Sequence, residues 1–477
     1  MQDKLISRKK ECEDLQRCLD SDRSEFVIIS GRRRIGKTYL IDKFFNYKYD
    51  FTFVGEHKTS ATIQIKNFMR ALHRQSKKRQ PKAETWYDAF NALEDYLETL
   101  PSDRKKVIFI DEMPWMDTQR SNFVSALENF WNGWCNRRTD IMLIATGSAT
   151  SWMADKIVGN QGGLHARITC NLHLPPFNLH ETEEYLRQRN CQWDRYQILQ
   201  CYMILGGVPY YLSLLNMSDS LVQNIDRLFF TEGALLRNEF DELYNALFAN
   251  ADTYISVVKL LSENKSGMLR EDIAKATGLE GAFLSKILKN LERCDFIIRL
   301  SQYGQKVRNN IFRLTDFYTL FYYKFIENNN TKDDRWWSNN MSSRSVSAWM
   351  GLSFELVCLN HHKQIKGALG IAGVGTAITT WRSTADPEKG IPGFQIDMII
   401  ERADRIIHLC EMKFSTDQYG ITDSYEKKLR ERMGLFRMAT KNKKSLVITF
   451  VTTYGVVGGK HKSIVHSEVT MDDLFQA

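Results

Sequence analysis

Short apolar, β-branched runs alternate with amphipathic stretches through the first third of the chain. The runs are Phe26–Ser30, Phe51–Val54, Val107–Ile110 and Ile141–Ala145. Apolar runs this short suit strands covered on both faces, and their alternation with helical patterns predicts a parallel α/β sheet. From Pro175 to about Leu247 the pattern is helical, broken at Gly206-Gly207-Val208-Pro209. From Asp252 to Phe317 three amphipathic helices precede a basic two-strand pattern, and from Trp336 onward the chain reads as α/β again. The segmentation predicts four domains, 1–173, 174–248, 249–328 and 329–477. No internal repeat interrupts it, and 8 prolines leave no room for a proline-rich linker.

A chain of 477 residues exceeds what one hydrophobic core serves. Its 43% hydrophobic and 26% charged residues are those of a globular protein and exclude a disordered one. A net charge of +8 is compatible with nucleic acid and does not require it. Nine cysteines without CxxC spacing predict free thiols in a reducing compartment and exclude a disulfide scaffold or zinc ribbon. The start, MQDKLISRKKECEDLQ, has no apolar core, and no run reaches the ~18 apolar residues of a membrane span. The expectation is a soluble, cytoplasmic protein with no membrane partner.

Gly31-Arg32-Arg33-Arg34-Ile35-Gly36-Lys37-Thr38 fits G-x-x-x-x-G-K-[ST], between the strand Phe26–Ser30 and a helical pattern beginning at Tyr39. The glycines let backbone N–H groups turn inward around a β-phosphate, and the helix N-terminus adds its positive end. Lys37 reaches β- and γ-phosphate oxygens, and the Thr38 hydroxyl can ligate magnesium. Arg32, Arg33 and Arg34 lie in the nucleotide-binding loop but read as solvated charges without separate roles. The run Val107–Ile110 delivers Asp111 and Glu112 to the carboxyl edge of what is expected to be the neighbouring strand. There Asp111 can hold magnesium and Glu112 can polarise an attacking water. Ile141–Ala145 ends in Thr146-Gly147-Ser148, of which Ser148 is the better candidate for the γ-phosphate or its water. Arg167, beyond that strand, could act as an arginine finger, in cis or across the subunit boundary of a homo-oligomer.

These residues resemble the archaeal-type ATPase family, a branch of the AAA-related signalling ATPases. The matching features are Ser7-Arg8-Lys9-Lys10-Glu11, GRRRIGKT, FIDEMPWM, ATGS, LPPF at Leu174–Phe177, and GGVPYYL at Gly206–Leu212 as that family's helical lid. One departure is Cys12 after Glu11, where an apolar residue is usual. The resemblance implies a P-loop NTPase fold, ATP with Mg2+, and nucleotide-dependent movement of the lid.

In the third segment, Phe283, Ile287, Leu288 and Leu291 form an apolar helical stripe, with Ser285, Lys286, Lys289 and Asn290 on the other side. Phe296–Leu314 reads as two strands joined by the basic tip Gln302–Arg308. This resembles a winged helix-turn-helix, whose third helix and wing would meet double-stranded DNA or merely join domains.

Gly393–Ile400 and Ile406–Lys413 read as a hairpin around Glu401–Arg405. Alternation puts Glu411 and Lys413 on one face, and pairing Asp397 opposite Leu409 or Glu411 adds its carboxylate. Asp397 and Glu411 could then hold Mg2+ or Mn2+, with Lys413 orienting water or stabilising phosphate charge. Upstream, Glu355 lies on the helical stripe of Leu352 and Leu359, a costly place unless it meets a metal or a cation. The alternatives are a partly exposed surface glutamate for Glu355 and an exposed salt-bridged face for Glu411 and Lys413. The set resembles the PD-(D/E)xK nuclease superfamily, with Asp397 as the lone acid, Glu411-Met412-Lys413 as ExK and Glu355 as the acid of the preceding helix. It departs in having Ile396 where a proline often stands. That resemblance implies a restriction-endonuclease-like fold with Glu355, Asp397, Glu411 and Lys413 as catalytic residues. Three functions remain open: an ATP-controlled DNA-cleaving protein, a non-cleaving ATP-dependent DNA-binding regulator, and a signalling ATPase that senses a protein. His361 and His362 are expected on the surface, and the basic face Lys427, Lys428, Arg430 and Arg432 beside DNA.

Overall fold

The computed structural model describes residues 5–148, 152–158, 164, 167–248, 250–383 and 393–477. They form two compact units, Met1–Pro175 and Pro176–Ala477. In the first, β1 (Glu25–Ser30), β2 (Phe51–Val54), β3 (Lys106–Asp111), β4 (Ile141–Gly147) and β5 (Cys170–His173) form a wholly parallel sheet. Its order is β2-β3-β4-β1-β5. Alternate residues of β1 enter different cores, Phe26 and Ile28 on one face and Val27 and Ile29 on the other. The helices Lys9–Asp20 and Lys37–Phe44 cover the second face through Leu15, Leu40 and Ile41. Ala61–Ser76, Trp86–Glu98 and Phe123–Asn129 cover the first through Phe68, Trp86, Phe90 and Phe123.

The four strands read from the sequence all form. The edge strand β5 was not read, because its pattern alternates buried and exposed residues and it holds no apolar run. A correction concerns order. Asp111 is not on the strand next to the phosphate loop, because β4 pairs with both β1 and β3 and lies between them.

The second unit begins with the helices Leu179–Gln188 and Arg195–Leu205, each opened by a capping box, from Asn178 and from Asp194. Gly206 and Gly207 follow at φ +69° and +64°, and a Cβ on Gly207 would lie 2.1 Å from the Phe177 carbonyl oxygen. Helices Ala251–Glu263, Arg270–Thr277 and Gly281–Arg293 then meet a small antiparallel sheet of β6 (Met268–Leu269), β7 (Ile297–Leu300) and β8 (Ile311–Leu314), with β8 central. This is the winged-helix arrangement. The last region is a five-stranded sheet of β9 (Thr376–Ser383), β10 (Phe394–Arg402), β11 (Ile406–Lys413), β12 (Ser445–Thr452) and β13 (Val465–Thr470). It is antiparallel through β9-β10-β11 and parallel through β11-β12-β13. Helix Arg344–Asn360 covers one face with Phe354 and Val357 over Met398, Ile400 and Cys410. Helix Asp423–Thr440 covers the other with Phe436 over Ile399, Ile407 and Leu409. One apolar core runs from Phe177 to Phe475, so the segments read as lid, winged helix and C-terminal α/β share their interior.

Several side chains differ from expectation. Phe283 leaves the apolar stripe and is 47% exposed, because Leu284, one step further round the helix, takes the inward position. Asn290 is buried, its amide donating to the Tyr254 hydroxyl at 2.8 Å. His361 is 1% exposed, its Nε2 accepting from the Leu179 amide at 3.0 Å and its Nδ1 donating to the Val357 carbonyl at 2.8 Å. The wing does not stand clear. Thr380 of β9 accepts from the Tyr303 amide at 2.8 Å and donates to the Ser301 carbonyl at 2.9 Å, so the wing's first limb covers that sheet edge. Its tip, Lys306, Val307 and Arg308, is exposed. Trp337 is buried against Phe321 and Phe325.

Candidate nucleotide site and acidic cluster

β1 ends at Ser30, and the loop turns at Gly31 (φ +149°) and Gly36 (φ +84°). A Cβ on Gly31 would meet the Ile35 Cδ1 at 2.4 Å and the Leu174 carbonyl oxygen at 2.6 Å, so only glycine fits where the loop crosses the end of β5. The leader and LPPF motifs brace this crossing. Arg8 donates to the Pro175 carbonyl at 2.7 Å, and the Leu174 amide donates to the Ser30 carbonyl at 2.9 Å. The helix Lys37–Phe44 has Gly36 at its N-cap and no side-chain cap, so its positive end faces the loop.

Lys37 is 6% exposed, and its Nζ donates to the Gly31 and Arg32 carbonyls at 3.0 Å each and lies 3.4 Å from the Ser148 Oγ. The Thr38 hydroxyl donates to Asp111 Oδ2 at 2.8 Å. Asp111 Oδ1 accepts from the Thr146 hydroxyl and, at 3.0 Å, from the Glu112 amide. Glu112, at φ +48°, turns its carboxylate to Ser148, taking the Ser148 amide at 3.1 Å and the Ser148 hydroxyl. The inserted β4 explains this: its end lies between loop and β3, so Thr146 and Ser148 bridge Lys37 to Asp111 and Glu112. Thr146 was passed over in the sequence, where Ser148 was preferred. It is legible as the residue two before Ser148, on the same side of the strand end. The donors fit a triphosphate: glycine turns, an uncapped helix start, a buried lysine and a hydroxyl–carboxylate pair for magnesium.

Two expectations change. Arg32 is not a solvated charge but is 1% exposed. Arg33, Arg34 and Ile35 complete the loop, with Ile35 in the core and Arg34 at φ +74°. Arg167 is exposed, its amide donating to the Leu164 carbonyl at 3.1 Å.

The second site lies on the C-terminal sheet. β10 pairs with β11 with Met398 opposite Cys410, and one further step in that register sets Asp397 against Glu411. A register shift between Ile396 and Ile399 on the β9 side bends the strand at Asp397. Glu411 is held by Tyr425 at 2.6 Å, by Lys413 at 3.3 Å and by Arg432. Asp397 accepts from the Gln395 amide at 2.6 Å and lies 3.6 Å from Arg313 Nη1. Arg313 Nη2 donates to Glu355 Oε2 at 3.3 Å. Burial and the neighbouring Asp397 raise the Glu355 carboxyl to about 7, against the pull of Arg313 and Lys413. The structure thus gathers Glu355, Asp397, Glu411 and Lys413, and adds Arg313, Tyr425 and Arg432. Arg432 was expected on a DNA-facing surface. It turns inward to Glu411, while Lys427, Lys428 and Arg430 stay exposed. Among the described residues no three His, Cys, Asp or Glu side chains come close enough together to hold a metal ion. Cations lie on these carboxylates instead, Arg313 on Glu355 and Asp397, and Lys413 and Arg432 on Glu411. No helix among them is long and apolar enough to cross a membrane.

Residues 5–215 match the family described as an ATPase domain predominantly from Archaea. The chain is 26% identical over 326 residues to an uncharacterised protein of Methanocaldococcus jannaschii, covering 68% of this chain and 69% of that one. It is 44% identical over 44 residues to an uncharacterised ATP-binding protein of the same archaeon, 9% of this chain and 75% of that one. Among solved structures, a Walker-type ATPase of Pyrococcus abyssi aligns with a TM-score of 0.48 and 17% identity over 68% of this chain and 97% of that one. Loop and strand order are those of a P-loop NTPase fold, and they fall within residues 5–215, the stretch that matches this ATPase family model.

Proposed function

We propose that this protein is an ATP-hydrolysing switch whose nucleotide state governs its hold on duplex DNA. The observation that carries the ATPase part is the hydrogen-bonded chain Lys37–Ser148–Glu112 beside Thr38–Asp111–Thr146, at the carboxyl edge of three adjacent strands. Lys37 and the loop amides bind and orient the phosphates. Thr38 and Asp111 are the residues that would hold magnesium, which there neutralises charge on the β- and γ-phosphates. Glu112 is placed to take the proton of the attacking water, and Ser148 holds its carboxylate.

The DNA part rests on the winged helix. A groove of about 510 Å³ lies between the third helix and the wing, lined by Arg270, Lys289, Arg293, Arg299 and Arg308, with Glu292 as an acid beside them. Lys286 and Lys289 on the helix and Arg308 on the wing are exposed, the positions from which a winged helix meets phosphates. Replacing Lys286, Lys289 and Arg308 together by Ala is expected to weaken duplex binding by about 10–100-fold and to flatten its dependence on log salt by about two to three units. Fluorescence anisotropy across a salt series, with and without ATP, reads both. An unchanged affinity and slope removes the winged helix from the interface. No duplex binding even at low salt favours a protein-sensing ATPase instead.

One observation favours a second reading, a metal-dependent nuclease: Glu355, Asp397, Glu411 and Lys413 do converge, on the strand–turn–strand setting that the PD-(D/E)xK motif requires. Asp397 and Glu411 are the residues that would hold Mg2+ or Mn2+, which supplies charge neutralisation and an activated water. Under this reading plasmid DNA is nicked with Mn2+, and Asp397→Asn lowers the rate by at least about 100-fold. A plasmid that stays supercoiled under every metal and nucleotide condition, with ATP binding intact, leaves the non-cleaving regulator.

A further inference from the structure

β8 reads Ile311-Phe312-Arg313-Leu314, a charge in the middle of an otherwise apolar strand. Arg313 is 5% exposed and sits on the central strand of the winged-helix sheet, paired with Ile298 of β7. A guanidinium buried this deeply is costly unless its donors are met by anions. Its two terminal nitrogens reach Glu355 on helix Arg344–Asn360 at 3.3 Å and Asp397 on β10 at 3.6 Å. The cation therefore comes from the winged helix and both acids from the C-terminal α/β region. It engages Glu355 Oε2 and Asp397 Oδ1, and Asp397 is one of the two acids that would hold a divalent ion.

We propose that Arg313 is the resident cation of the Glu355–Asp397 pair, and that a divalent metal on Asp397 and the Arg313 guanidinium exclude one another. This rests on reading the acidic cluster as a metal site, and it adds a control: the winged helix holds the site in a locked state. The lock is stiff. β8 is hydrogen-bonded on both sides, Met268 of β6 lies opposite Phe312, and a Cβ on Gly267 would stand 3.3 Å from the Arg313 Cβ. Arg313 therefore leaves the carboxylates by movement of the winged-helix sheet rather than by side-chain rotation alone. Lys413, a further cation near Glu355, is tied to Glu411 at 3.3 Å.

The experiment is Mn2+ binding to the nucleotide-free full chain, read as loss of the free-ion electron paramagnetic resonance signal. Arg313→Gln is expected to gain one Mn2+ site at least about tenfold tighter than the wild type shows, because it removes the competing charge that bridges the two carboxylates. The double variant Arg313→Gln, Asp397→Asn loses that site. Mn2+ also raises the thermal midpoint of Arg313→Gln, and not that of the wild type. Arg313→Lys keeps a cation but cannot bridge both carboxylates with a planar fork, and it stands in if the glutamine variant does not fold. It is expected to gain several-fold in Mn2+ affinity. A folded Arg313→Gln or Arg313→Lys that binds Mn2+ no better than the wild type overturns the lock, as does a gained site that survives in the double variant. Metal binding without cleavage in Arg313→Gln would remove the nuclease reading and leave the lock. Equal cleavage by wild type and Arg313→Gln at limiting Mn2+ would remove the lock and leave the nuclease.

Discussion

Glu112→Gln is expected to lower ATP turnover by about 10²–10⁴-fold while leaving ATP bound. The backbone delivers Glu112 one residue beyond Asp111 in a left-handed conformation, which turns its side chain away from the line of β3 and toward the end of β4. There it accepts from the amide and hydroxyl of Ser148. Glutamine has the same shape, and its amide oxygen can take the Ser148 amide, so the site keeps its form. What it loses is the ability to take a proton from water. The phosphates are held by other groups, Lys37 and the loop amides, so affinity and turnover separate in this variant. Binding of a fluorescent ATP analogue and release of inorganic phosphate read the two halves. Turnover within about threefold of wild type would take the base role from Glu112, and loss of binding would show that Glu112 shapes the pocket instead.

The parts of this protein that were legible in its sequence are those where local chemistry allows one conformation. GRRRIGKT between an apolar strand and a helix needs glycine where the Leu174 carbonyl passes close beneath, and the loop forms as read. Strands β1, β3 and β4 are almost wholly buried, and their apolar runs could be nothing else in a layered sheet. Strand order was not legible: no residue in Ile141–Gly147 states that this strand slips between β1 and β3, yet that insertion brings Thr146 and Ser148 into the site. In the second unit the helical stripes located the helices but not every inward position. Phe283 lies outside because Leu284 takes the inward place, and Asn290 lies inside, where its amide bonds to the Tyr254 hydroxyl. The acidic cluster was readable as far as strand alternation reaches, so Glu411 and Lys413 share a face. Its counter-charges come from elements distant in sequence, Arg313 over one end and Arg432 over another. The signal for Arg313 was present in the apolar company it keeps on β8. A charge there needs a partner, although the sequence could not say which.

Lowering the pH from 7 to 5 is expected to destabilise the second unit through two buried imidazoles. Burial, and for His408 also Arg402 and His466, lowers both His361 and His408 to about 4. His361 is neutral with its proton on Nδ1, since Nε2 accepts from the Leu179 amide, and protonation would set two N–H groups nose to nose. His408 likewise sits beside the Arg402 guanidinium at 3.4 Å. In the unfolded chain both rings take up protons near 6.5. The native state then binds fewer protons than the unfolded one, so stability is full above about 6.5 and is lost as pH falls toward 4. By pH 5 each ring removes about 2 kcal/mol. Glu355 acts with the opposite sign. Its carboxyl is raised, so the native state binds a proton that the unfolded chain does not, and this returns stability as pH falls through the raised value. Wild type therefore shows a shallow acid limb, the difference between two losses and one gain. Glu355→Gln removes the gain and steepens that limb. His361→Gln, which can still accept from Leu179, removes one loss and flattens it by about 2 kcal/mol between pH 7 and 5. Urea unfolding of the full chain at pH 7, 6 and 5, followed in the phase assigned to the second unit, measures all three. Parallel limbs for the three proteins would mean that neither the histidines nor Glu355 titrates in this window.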